Sequence, residues 1–78
     1  MEHPATAGVR IEHARDELGR HRRGLLLVYA GTRIVGSAAR VAGAVPESWV
    51  AHRLGSESYT TGLSEVGARA LLTEWAQS

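Results

Sequence analysis

No cysteine occurs in this 78-residue chain. Disulfides, thiolate metal sites and cysteine nucleophiles are therefore absent, and the fold has to be held by packing and backbone hydrogen bonds alone. A chain of this length forms one domain. It hides only about 60% of the surface it would expose unfolded, so its core is thin and its stability is on the order of a few kcal/mol. With no Phe and two each of Trp and Tyr, aliphatic side chains must supply most of that core. A small secreted domain would ordinarily need staples, so a cytoplasmic protein is expected. The longest apolar run, Leu25 to Ala30, is far too short to span a membrane, and Met1-Glu2-His3-Pro4 lacks the basic-then-apolar pattern of a signal peptide. No membrane partner is expected.

All nine basic residues are arginine. With abundant Ala, Gly and Val, this is the composition a GC-rich genome encodes, such as that of an actinobacterium or its phage. The net charge is only +1, but it is unevenly spread: residues 1–40 carry seven Arg against four acids, and residues 41–78 carry two Arg against four. Such asymmetry orients a protein in a field without giving it the strong basic footprint of a dedicated DNA binder.

The local patterns predict an α+β domain over 9–78, preceded by a flexible start over 1–8. Ile11, Ala14 and Leu18 recur at helical spacing. Glu12/Arg15, Asp16/Arg20 and Glu17/His21 stand at ion-pair spacing, and Arg20 to Arg23 precede Gly24. Together these predict an N-terminal helix from Val9 to Arg23. Leu25–Tyr29, a turn at Ala30-Gly31-Thr32-Arg33, and Ile34-Val35 read as a hairpin over 25–42, although Ser37–Ala42 would also suit a helix. Residues 48–54 read as a third strand from Trp49, Val50 and the alternation around them, or as a short helix from Pro46. Trp49, Ala51 and Arg53 fall on one face of such a strand and Val50, His52 and Leu54 on the other, with either face a candidate for solvent. Ser64 is a good N-cap, and Ala68, Leu71, Leu72 and Trp75 form one apolar stripe, predicting a helix over 65–76. The expected fold is an N-terminal helix, a three-stranded antiparallel sheet and a C-terminal helix packed on it.

No motif carries chemistry. The glycine spacing of Gly31 to Gly36 would suit a phosphate loop, but Ser37 stands where that loop needs Lys. His3, His13, His21 and His52 show no ligand spacing; His13 and His21 would lie two turns apart on the expected helix. No serine sits in a nucleophile elbow. The expectation is a non-enzymatic protein with no cofactor and no metal.

Three resemblances bear on function. Leu25–Gly36 resembles the hairpin of GNAT acetyltransferases, and Gly67–Leu72 the helix of their coenzyme A site. Leu63-Ser64-Glu65-Val66, however, lacks the glycines and basic residues of that site, and the chain is about half the length of the fold. Residues 38–50 resemble a helix-turn-helix with one residue too many between Gly43 and Val50. The resemblance that covers most of the chain lies in Tyr29–Val41, Trp49-Val50-Ala51-His52-Arg53, Gly55 and Ser64–Leu72. These residues resemble the three-strand-plus-helix module of integrase arm-binding and AP2-type DNA-binding domains. That resemblance implies DNA as partner, with a sheet face entering the major groove. Arg33, Arg40 and Arg53 would be the sheet-borne contacts, and Arg20, Arg22 and Arg23 would hold phosphates. The alternative expectation is a protein–protein interaction module (a homodimer, inhibitor or adaptor) with Trp49 and Trp75 as interface anchors.

Overall fold

The computed structural model describes residues 8–78. Within them the chain runs β1 (Val9–Arg15), β2 (His21–Ala30), β3 (Arg33–Arg40), β4 (Trp49–Arg53), β5 (Tyr59–Leu63) and α1 (Glu65–Gln77). The five strands form one antiparallel sheet in sequence order, each strand pairing with the next, and α1 packs across one face of it. Of the flexible start expected over 1–8, all but Gly8 lies outside the described residues; the Gly8 carbonyl accepts the Gly31 amide at 2.8 Å.

The expected N-terminal helix is corrected to a strand, a turn and the beginning of a second strand. Two local interactions decide this. Asp16 turns its carboxylate back on the backbone, Oδ1 accepting from the amides of Leu18 and Arg20 at 2.9 Å each. Gly19 takes φ +80°, a left-handed conformation that only glycine adopts freely. Together they close a tight reversal that returns the chain as β2. Of the three ion pairs expected at helical spacing only Asp16–Arg20 forms, and it forms inside this turn. Leu18, assigned to the apolar stripe of the expected helix, is 75% exposed at its tip.

The second correction is the number of strands: five, not three. β1 supplies one of the additional pair. Tyr59-Thr60-Thr61 supplies the other, its β-branched and aromatic residues suiting an exposed edge strand that closes the sheet beside β4. The central hairpin forms as the turn chemistry requires. Ala30 pairs with Arg33 across a two-residue loop, and Gly31 there has φ +66°. The stretch left open between strand and helix, 37–42, is strand through Arg40, and β4 lies extended beside β3.

The C-terminal helix starts where its cap is. The Ser64 hydroxyl accepts the Gly67 amide at 3.0 Å, satisfying one of the unpaired donors of the first turn. Ala68 and Leu72 are fully buried beneath it, with Leu71, Trp75 and Ala76 at the margins. They meet Leu26 and Val28 of β2, Ala38 of β3, and Trp49 and Ala51 of β4. Complete burial of Leu26, Val28 and Leu72 contributes about 1.5–3 kcal/mol each. Alternation then sends the intervening residues of each strand to the opposite face of the sheet.

Candidate functional site

With one helix and five strands, the sheet has a covered face and an open one. Residues aligned by the pairing register make up the open face. Glu12, Leu27, Ser37, His52 and Tyr59 form one row across all five strands, each the register partner of the next. Leu25, Ala39 and Val50 form a second row, and Arg10 pairs with Tyr29 in a third. The centre of the open face is therefore Leu25, Leu27, Tyr29, Ala39 and Val50, an apolar surface. Among the described residues no helix packs over it.

Polar groups on this face are already partnered at its edges. Arg10 lies over the Tyr29 ring, 4.4 Å from its centroid, and pairs with Glu12 of the same strand. On the far side the His52 and Tyr59 rings stack with centroids 4.6 Å apart, and His52 Nε2 lies 2.7 Å from the Ser56 carbonyl oxygen. Tyr59 is 64% exposed, so its stacked ring stands free on one side. The face is apolar in the middle, aromatic at one edge and internally charge-compensated at the other.

The arginines expected to act together are placed elsewhere. Arg33 begins β3 and Arg40 ends it, about 23 Å apart at ~3.3 Å per residue. Arg40 is the register partner of Trp49 and Arg53 of Gly36, which puts both on the helix-covered side. Arg53 donates to the Ser78 hydroxyl at 3.0 Å, and Arg33 and Arg53 border one depression beside Trp75 and Ser78. Arg40 stands at the other end with Arg23. Arg20 is held by Asp16 in the β1–β2 turn, next to Arg22 at the start of β2. The six thus form two groups at opposite ends of the sheet, and Arg33, Arg40 and Arg53 do not share an exposed face.

The two tryptophans expected as interface anchors differ in burial. Trp49 is 1% exposed and is the largest side chain of the core, its indole Nε1 donating to Glu47 at 2.6 Å. Trp75 is half-buried at the end of α1. The open-face residues Leu25, Leu27, Tyr29 and Val50 were not singled out from sequence. In Leu25-Leu26-Leu27-Val28 both parities are apolar, so alternation cannot separate a covered face from an open one.

The hairpin also brings together two histidines that the expected helix would have kept apart: the His13 and His21 ring centroids lie 6.2 Å from each other. Among the described residues no three potential metal ligands converge, and no helix is long and apolar enough to cross a membrane. The chain matches no family model, no curated protein and no solved structure.

Proposed function

We propose that this chain is a small non-enzymatic interaction module that pairs with a second copy of itself across the open face of the sheet. The observation that carries this reading is the apolar centre of the open face, formed by half-buried Leu25, Leu27, Tyr29 and Val50 with exposed Ala39. Contiguous apolar surface of this kind is costly to leave in water and marks interaction sites. Sheets stack face to face about 10 Å apart by interdigitating such residues, as the two halves of a sandwich do.

Charge favours a second copy as the occupant. The open face carries one ion pair, Arg10–Glu12, on a single edge strand. Two copies related by a two-fold axis meet without net like charge, and each copy's Arg10 can face the other's Glu12. Arg40 and Arg53 lie on the helix-covered side and do not oppose its closure. Pairing also offsets the thin core of so short a chain, because anything that binds only the folded state stabilises it.

Sedimentation equilibrium over a wide concentration range tests the reading. The wild type is expected to approach twice the monomer mass with rising concentration. Leu27→Lys, which places a charge at the centre of the face, is expected to remain monomeric with an unchanged circular-dichroism spectrum. A wild type that is strictly monomeric throughout ends the proposal.

A further inference from the structure

The covered side of the sheet has a second unusual surface, at the end where the β1–β2 hairpin turns. His13 of β1, His21 and Arg23 of β2, Arg40 of β3 and Glu65 of α1 surround an open depression of about 510 Å³, with an edge of Trp49 behind them. His13 and His21 also border the adjoining depression, together with Arg15, Arg69 and Glu12. Five elements of the fold thus converge on two imidazoles and four guanidinium groups.

The carboxylates on the rims are already taken. Glu65 Oε2 receives Arg69 Nε at 3.1 Å, and Glu12 is paired with Arg10 on the other face. Arg23 and Arg40 have no carboxylate within ion-pair distance among the described residues. Position 24, between the two on the sheet, is glycine. A Cβ there would stand 3.8 Å from Arg40 Cβ and 3.9 Å from Arg40 Nε, so the Arg40 side chain lies against Gly24 of β2, next in sequence to Arg23. Among the described residues neither imidazole has a hydrogen-bond partner.

Two guanidinium forks without ion-pair partners stand beside two imidazoles, and the rim carboxylates Glu65 and Glu12 are each paired with another arginine. Arginine forks match the paired oxygens of phosphate, and bonds to charged oxygens are the stronger kind. We propose that this pole binds a phosphate group through Arg23 and Arg40, with the His13 and His21 rings beside them as further hydrogen-bond donors. The site lies on the side of the sheet opposite the pairing surface and is independent of self-association.

NMR titration with two probes, inorganic phosphate and a short single-stranded oligodeoxynucleotide without terminal phosphates, tests the site. Phosphate is expected to shift the His13 and His21 ring signals and the Arg23 and Arg40 side-chain signals in a saturable way. Arg23→Gln and Arg40→Gln should each weaken binding about tenfold, the loss expected for one charged hydrogen bond. Arg33→Gln, at the far end of the sheet, should leave it unchanged. Binding of both probes at the same residues assigns the site to the phosphates of a nucleic-acid backbone, and binding of free phosphate alone assigns it to a small phosphorylated ligand. The proposal is overturned if neither probe shifts these residues, or if shifts spread equally to Arg33 and Arg53. Running the Leu27→Lys monomer in parallel separates loss of this site from loss of self-pairing.

Discussion

Gly36 of β3 lies directly beneath the indole of Trp75. A Cβ at Gly36 would stand 2.9 Å from Trp75 Cε3 and 3.1 Å from the His52 carbonyl oxygen. The close approach lets the last turns of α1 rest on the sheet. Gly36→Ala is expected to destabilise the fold by about 1–3 kcal/mol, the usual range for overpacking, because both the indole and the neighbouring backbone would have to shift. Urea denaturation measures this. The double variant Gly36→Ala/Trp75→Leu should recover part of the loss, since a smaller side chain at 75 opens the space the new methyl needs.

Trp49 carries the opposite kind of constraint, volume that must be filled. It is fully buried among Leu26, Ala51 and Leu72, with its ring nitrogen satisfied by Glu47. Trp49→Ala is expected to cost about 3–5 kcal/mol, comparable to the whole stability of a domain of this size. The variant should therefore be largely unfolded at room temperature by circular dichroism. Trp49→Phe, which keeps most of the buried area, should stay folded. A folded Trp49→Ala variant would place this residue outside the core.

What the residues disclosed, and what they concealed, follows from the range of the interactions involved. The C-terminal helix was legible because Ser64 caps it and Ala68, Leu71, Leu72 and Trp75 repeat at its own period. The central hairpin was legible because Gly31 marks its turn. Residues 9–23 imitate a helix because Ile11, Ala14 and Leu18 recur at a helical period. The competing signal was also present. Val9, Ile11 and His13 alternate with Arg10 and Glu12, and Asp16 with Gly19 is the first-and-fourth-residue signature of a turn. The placement of the arginines was not legible at all. Whether Arg40 stands with Arg23 or with Arg33 depends on which strand ends the topology brings together, and no local pattern contains that.

Ser64 provides a local test of the helix. Its hydroxyl is the hydrogen-bond acceptor of the Gly67 amide at 3.0 Å, and Ser64→Ala leaves that donor to water. The expected loss is about 1 kcal/mol, with Ser64→Asp restoring most of it because aspartate caps as well and suits the positive end of the helix dipole. Thermal melts of the three proteins compare them directly. Equal midpoints for wild type and Ser64→Ala would show that packing of α1, and not its cap, fixes where the helix begins.

Asp16 makes the β1–β2 reversal sensitive to acid. The Arg20 amide above all, with the Leu18 amide and the guanidinium groups of Arg20 and Arg22, holds its carboxyl below its ordinary value of 3.8, although desolvation opposes them. A carboxyl lowered in the folded state stabilises that state when ionised. Its contribution is complete above the unfolded value of 3.8 and fades as pH falls below it toward the folded one. Hydrogen exchange at the Leu18 and Arg20 amides is therefore expected to lose protection below about pH 4 while the amides of β3 and β4 keep theirs. Asp16→Asn retains an oxygen that can accept from both amides but does not titrate, so it should flatten that pH dependence. If the turn amides of the wild type stay equally protected down to about pH 2.5, the carboxylate is not what closes the hairpin.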